Sequence, residues 1–70
     1  MEKVDVRGLS CPMPVIRTKK AMDQGAKEVL VLGTTQVAKE NVLKLASSQG
    51  YQAEMVSDGK DNWEMKLTRK

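Results

Sequence analysis

One cysteine and two prolines stand together near the start of the chain, in the order Cys11, Pro12, Met13, Pro14. A thiolate is a soft nucleophile, and Cys11 is the only residue here that can supply one. A strand pattern precedes the segment and a helical pattern follows it, so the thiol is predicted at a helix N-terminus, where partial positive charge and free N–H groups favour the thiolate. Each proline removes one N–H and fixes one φ. The donors that remain, those of Met13 and Val15 among them, are therefore expected to lie on a stiffened backbone.

The absence of histidine and of a second cysteine excludes most other catalytic sites. With one Cys and no His in 70 residues, the chain cannot form a Cys–His dyad, a Ser-His-Asp triad, a structural zinc site or an intrachain disulfide. We expect no metal and no resident cofactor. Free cysteines are most often small buried hydrophobes, and that alternative stays open for Cys11. If the thiol is reactive, its possible roles are carrying a group between partner proteins or acting as a thiol redox sensor.

The composition is that of one small folded domain spanning residues 1–70, with 40% apolar and 30% charged residues. The longest apolar run, Val29 to Leu32, is far too short to span a membrane, and the first residues lack the layout of a signal peptide. We therefore expect a cytoplasmic protein with no membrane partner. A net charge of +3 is mild, so basicity alone does not indicate a nucleic-acid partner.

Hydrophobic periodicity predicts the order βαβαββ. With right-handed crossovers, this order places both helices on one face of a mixed four-stranded sheet, which is a two-layer α/β (α+β) sandwich. A turn that begins at Gly8 leads from strand one into helix one, and strand two reads as a central strand. We expect either Val29 and Val31 or Leu30 and Leu32 to form an exposed apolar strip on the other face. The predicted elements are strand one over 3–7, helix one over about 12–24, strand two over 28–33, helix two from 34 or 35 to 49, and a hairpin over 51–55 and 63–68.

Cations follow the cysteine along helix one. Arg17, Lys19 and Lys20 lie one to two turns further on, and Arg7 ends strand one. They add positive potential near Cys11, and we predict that these four residues form the docking surface for partner proteins. The alternative is that they form a solvated surface without a partner.

The principal alternative function is a non-catalytic RNA- or protein-binding module. Proteins that read RNA on a sheet generally use exposed aromatic residues for stacking. Only Tyr51 and Trp63 are available here, and the alternation places both on the core side of the hairpin. We therefore do not expect a nucleic-acid partner.

The segment from Val4 to Val15 resembles the strand, Gly-Leu and Cys-Pro-x-Pro signature of the TusA/SirA family of small sulfur-carrier proteins, and the length and element order match across essentially the whole chain. The resemblance implies that Cys11 accepts sulfane sulfur as a persulfide from a donor such as a cysteine desulfurase or a rhodanese, and passes it to an acceptor protein. The chain would then be a sulfurtransferase-like carrier acting in trans. The motif residues of the resemblance are Gly8, Pro12, Met13 and Pro14.

Within that family, the run from Val37 to Val42 and the segment from Ser48 to Tyr51 are closest in pattern to the YedF branch. That branch is linked to selenium metabolism, and its members commonly carry a DsrE-like domain after this one. The resemblance therefore implies a DsrE-like protein among the candidate acceptors. Both sulfur and selenium stay open as the cargo.

Overall fold

The structure is a computed structural model that describes residues 2–9 and 13–69. Its elements follow the predicted order βαβαββ, and the predicted two-layer architecture is confirmed. Helix one was predicted to begin at Pro12, which lies outside the described residues. The observed elements are β1 (Glu2–Asp5), α1 (Met13–Asp23), β2 (Glu28–Gly33), α2 (Gln36–Ser48), β3 (Tyr51–Asp58) and β4 (Trp63–Arg69).

The four strands form one mixed sheet in the order β1-β2-β4-β3. β1 is parallel to β2, with Val4 opposite Val31, whereas β4 is antiparallel to both β2 and β3. The central position predicted for β2 is confirmed, because its neighbours are β1 and β4. Val29 and Val31 are buried under the helices, and Leu32 and Leu30 are buried and half-buried on the opposite face, so 29–32 lacks the alternation seen in the other strands. The two edges of the sheet are β1 and β3.

The core lies between the helices and one face of this sheet. Val29, Val31, Met65 and Leu67 are fully buried there. The helices cover them with Thr18, Ala21 and Met22 from α1 and with Ala38, Val42 and Ala46 from α2, residues spaced three or four apart as a buried helical stripe requires. Val15 and Leu45, which the periodicity places in these stripes, are only half-buried.

The opposite face of the sheet carries Leu30 and Leu32, one of the two pairs considered from the sequence. The expected exposed strip is wrong for Leu32, which is 8% exposed, and Leu30 is half-buried. Leu32 lies opposite Asp5 on β1 and Glu64 on β4, whereas Leu30 lies opposite Lys3 and Lys66. Charged residues of both neighbouring strands therefore flank the strip.

Both aromatic residues belong to the core, as predicted. Tyr51 is 5% exposed and Trp63 is 1% exposed. The Tyr51 hydroxyl donates to the carbonyl of Ala26, and the Trp63 Nε1–H donates to the carbonyl of Thr35 over 2.8 Å. Thr35 is also the N-cap of α2, since its Oγ1 accepts from the backbone N–H of Ala38 at 3.2 Å. The hairpin is therefore fastened to the start of α2 by a buried side chain.

Among the described residues, neither helix is long and apolar enough to cross a lipid bilayer.

Candidate functional site

The backbone reverses direction between the end of β1 and the start of α1. The N–H of Val6 still bonds to β2, at 2.8 Å from the Leu32 carbonyl, and the N–H of Leu9 then turns back to the Val6 carbonyl at 3.2 Å. Residues 10–12 join Leu9 to Met13 and lie outside the described residues. The predicted nucleophile Cys11 and its neighbour Pro12 are among them, and the described residues on both sides, Leu9 and Met13, delimit the site.

Gly8 makes this reversal possible. Its φ of +76° lies in the left-handed region, which side chains with a Cβ disfavour. No heavy atom lies within 4 Å of the position that a Cβ would take, so the backbone conformation, and not a lack of space, favours glycine. The Gly8 N–H makes a long hydrogen bond of 3.4 Å to the Thr34 Oγ1, which connects the turn to the end of β2.

The first turn of α1 is anchored in the core by Pro14. This proline is fully buried, and its carbonyl accepts from the buried Thr18 Oγ1 at 2.8 Å. Met13, by contrast, is 39% exposed. The first turn carries no acidic residue, so no carboxylate there offsets the positive end of the helix dipole.

An apolar depression of about 420 Å³, which we call the motif cleft, lies beside this junction. Its walls are the turn, the first residues of α1 and the first turns of α2. Leu9 and Pro14 therefore contribute to it from either side of the segment that holds Cys11. Sequence reasoning did not single out the α2 wall; the signal available was Val37, an apolar side chain that is 61% exposed. The lining residues are Gly8, Leu9, Pro14, Val15, Thr35, Val37, Ala38 and Asn41.

A second depression, the β1–α1 groove, has a volume of about 530 Å³ and runs along the outer edge of the sheet. All of β1, Glu2–Asp5, lines one side. Residues of α1 line the other: Met13, Ile16, Arg17, Lys20, Ala21, together with Gln24 just after the helix. Ile16 is 50% exposed, so both it and Met13 present apolar surface to solvent along the groove.

The four cations predicted to dock partners occupy three different places. Arg17 and Lys20 come together in the β1–α1 groove. Lys19 points elsewhere and pairs with Asp23, its Nζ lying 2.9 Å from Oδ2. Arg7 lines a separate depression with Lys3, Leu32 and Glu64, among others, at the far side of β1.

Arg7 is held by a two-point ion pair with Asp5. Its Nε donates to Oδ1 at 2.9 Å and its Nη2 to Oδ2 at 2.8 Å, and its backbone N–H donates to Oδ1 as well. These bonds lower the pKa of the Asp5 carboxyl to about 2 and raise the pKa of Arg7. Asp5 is therefore ionised near neutral pH, and it offsets much of the charge that Arg7 offers to a partner.

Within residues 2–9 and 13–69, no three acidic side chains lie close enough together to hold a metal ion.

Residues 2–69 match the family model described as "Sulfurtransferase TusA". The chain is 42% identical over 53 residues to a "putative sulfur carrier protein" of Methanocaldococcus jannaschii, in an alignment covering 73% of this chain and 71% of the relative. A relative of the same description from Bacillus subtilis is 40% identical over 48 residues, which cover 67% and 64% of the two chains. The crystal structure of a SirA-like protein from Desulfitobacterium hafniense matches with a TM-score of 0.84 and 34% identity, covering 97% of this chain and 96% of that one.

Proposed function

Because the chain belongs to the TusA family, whose model matches residues 2–69, we propose that it is a sulfur carrier that holds sulfane sulfur on Cys11 and passes it to an acceptor protein. The observation that carries the proposal is the place of the only thiol. Cys11 is the single cysteine of the chain, and it stands two residues before the first residue of α1, in the connection that follows β1.

The chemistry is two successive thiol–persulfide exchanges. In the first, the Cys11 thiolate attacks the terminal sulfur of a persulfide on the donor protein; a new S–S bond forms on Cys11, the donor S–S bond breaks, and the donor cysteine leaves as a thiolate. In the second, an acceptor thiolate attacks the terminal sulfur on Cys11 and Cys11 leaves as the thiolate. The sulfane sulfur keeps its oxidation state throughout, so the relay needs neither an external oxidant nor a reductant.

The surroundings of the motif favour both exchanges. Each step releases or consumes a sulfur anion, and the N-terminus of α1, with no acidic residue in its first turn, stabilises such an anion. Cys11 is two residues from Leu9 and two residues from Met13 in the chain. Leu9 lines the motif cleft and Met13 lines the β1–α1 groove. These are therefore the described surfaces nearest to Cys11 along the chain, and we propose that partners dock on them.

The burial of Tyr51 and Trp63 argues against the RNA-binding alternative. Both aromatic side chains of the chain are buried, and both use their polar atom in a hydrogen bond to a backbone carbonyl. Neither can stack on an exposed base without leaving the core. The redox-sensor alternative uses the same cysteine and differs in the product formed on it, which a mass measurement distinguishes.

The proposed donor is a persulfide-forming protein of the cysteine desulfurase or rhodanese type, and the proposed acceptors include DsrE-like proteins. The proposed location is the cytoplasm. Membership of the YedF branch, with selenium as an alternative cargo, stays a prediction.

The test is intact mass after incubation with a persulfidated donor, followed by transfer of labelled sulfur to an acceptor thiol. We expect the wild type to gain about 32 Da, one sulfur atom, in a form that reductants remove. Cys11→Ser should stay folded, gain nothing and relay nothing, whereas the exposed control Ser57→Ala should behave as wild type. A folded Cys11→Ser protein that still relays sulfur would overturn the proposal, and an oxidised thiol without added sulfur would favour the sensor.

A further inference from the structure

Within residues 2–9 and 13–69, no strand pairs with the outer edge of β1. The strand is outermost in the order β1-β2-β4-β3. The N–H of Val6 bonds to the Leu32 carbonyl, and successive residues of a strand direct their backbone groups to opposite sides. The N–H and C=O groups of Lys3 and Asp5 therefore point away from β2, toward the outer edge. Such an edge is a template for pairing with another strand.

The β1–α1 groove runs along this edge, and its helical wall suits an added strand. A strand paired with β1 would lie about 4.8 Å from it, beside the α1 residues that line the other side of the groove. Every second side chain of that strand would then face Met13 and Ile16, which are 39% and 50% exposed. Pairing would bury this apolar surface and would satisfy the backbone groups of Lys3 and Asp5 at the same time.

The charge on the groove identifies the kind of strand that fits. Arg17 and Lys20 line it, and neither forms an ion pair with any residue in the described part of the chain. Of the two acidic residues that also line it, Asp5 is already paired with Arg7, and Glu2 lies at the far end from Met13. The part of the groove beside the apolar residues is therefore positive, which complements a strand with carboxylate side chains.

The same cations disfavour a second copy of this chain as the occupant. Antiparallel pairing of two β1 edges about a twofold axis would bring the two α1 helices side by side. Arg17 and Lys20 would then face Arg17 and Lys20 of the other copy, which places four positive charges together.

We propose that the β1–α1 groove binds an extended acidic segment of a partner protein, which adds to β1 as a fifth strand of the sheet. The inference deepens the proposed function, since it rests on that function for the identity of the partner as a sulfur donor or acceptor. Met13, at one end of the groove, is two residues from Cys11 in the chain. A segment bound in the groove would therefore hold the rest of the partner protein near the thiol.

The experiment uses the ¹⁵N-labelled chain and synthetic peptides, with no sulfur transfer. The probe is an extended peptide of alternating Glu and Val. One control is the same peptide with alternate backbone amides N-methylated, which keeps the side chains and removes strand pairing; the other replaces each Glu by Lys. We expect only the unmodified acidic peptide to shift the amide signals of Lys3 and Asp5 and to slow their hydrogen exchange.

Substitutions supply the second half of the test. Arg17→Glu combined with Lys20→Glu should weaken peptide binding about tenfold or more, as the loss of two partly exposed ion pairs predicts. Lys19→Glu, a charge reversal on the same helix but outside the groove, should change it less than about twofold. Because the probe carries no sulfur, a failed relay and a failed peptide interaction are separate results.

Three results would overturn the proposal. Equal binding of the N-methylated peptide would show that β1 does not pair with the ligand. Absence of binding at millimolar peptide, or signals that move only elsewhere, would show that the groove is not the site. Concentration-dependent dimerisation in sedimentation, with the Lys3 and Asp5 amides protected in the peptide-free protein, would identify a second copy as the occupant instead.

Discussion

At the scale of single residues, Pro14 of the motif belongs to the core of the protein. Pro14 is fully buried, and its carbonyl accepts a hydrogen bond from the Thr18 hydroxyl. Replacing it by alanine removes packed atoms from the core as well as freeing φ, so a loss of function in that variant is mixed with a loss of stability. The relay should therefore be tested with Pro12→Ala and Pro14→Ala separately as well as together.

The Cys11 thiol should titrate below the pKa of about 8.5 that a free cysteine shows, because the N-terminus of α1 and then the nearby cations stabilise the thiolate. Since the thiolate is the reactive form, the rate with a neutral alkylating reagent should rise with pH and level off above that lowered pKa. Thiolate absorbance against pH measures this pKa directly.

Pro12→Ala combined with Pro14→Ala should slow sulfur transfer without abolishing it, since the thiol remains.

A pKa at or above the free-cysteine value would contradict this prediction. It would mean that Cys11 is a buried and unreactive side chain, and the carrier proposal would lose its chemical basis. Unfolding of each proline variant by denaturant separates an effect on the thiol from one on the fold.

At the scale of the elements, the contact between the end of β2 and the start of β4 holds the two layers together. Gly33 lies opposite Trp63 in the sheet. A Cβ at position 33 would lie 2.1 Å from the Trp63 Cζ2, far inside van der Waals contact. The ring fills the place of that side chain and reaches the start of α2, where its Nε1–H donates to the Thr35 carbonyl. β2, β4 and α2 are thus joined by one glycine and one tryptophan.

Gly33→Ala should destabilise the protein by about 1 to 3 kcal/mol, the usual cost of overpacking a core. The sharper test is a double-mutant cycle with Trp63→Phe. The atoms that would clash with a Cβ at position 33 belong to the six-membered ring of the indole, and the smaller phenyl ring of Phe can leave that space free. We expect the cost of Gly33→Ala in urea unfolding to be clearly smaller in the Trp63→Phe background. If Gly33→Ala lowered the free energy of unfolding equally in both backgrounds, the Trp63 ring would not be the reason that position 33 requires glycine.

At the scale of the whole molecule, the charge is distributed over separate surfaces. The net charge is +3, but Arg7 and Lys19 are offset by Asp5 and Asp23. Arg17 and Lys20, on α1 close to the motif, form no ion pair with a described residue. A carrier with one cysteine must meet donor and acceptor in turn. Such encounters depend on complementary charge for their rate of association more than on a large buried area.

Raising the ionic strength should therefore slow sulfur transfer between proteins, because exposed charges are screened over about 10 Å at 0.1 M salt. The reaction of Cys11 with a neutral small reagent should change little over the same range, which makes it the internal control. Transfer rates under limiting donor, measured as a function of salt, check the prediction. A protein-to-protein rate independent of salt would indicate docking through apolar surface such as the motif cleft.

The sequence by itself determined the element order, the central place of β2 and the burial of Tyr51 and Trp63. These properties are local, since alternation along a strand and spacing of three or four along a helix state which side of an element is apolar. The Cys-Pro-x-Pro motif likewise identified the family from contiguous residues. None of these inferences required knowledge of which elements are neighbours.

Only the tertiary structure decided which side chains meet. The register sets Asp5 and Glu64 beside the buried Leu32, and the motif cleft exists because α2 brings Val37 to the start of α1. The docking cations were predicted as one surface, but the structure places Arg17 and Lys20 in the β1–α1 groove and Arg7 and Lys19 elsewhere. The physical reason is that periodicity gives the direction of a side chain relative to its own element, whereas its neighbours depend on strand order, register and helix packing, which contacts distant in sequence establish.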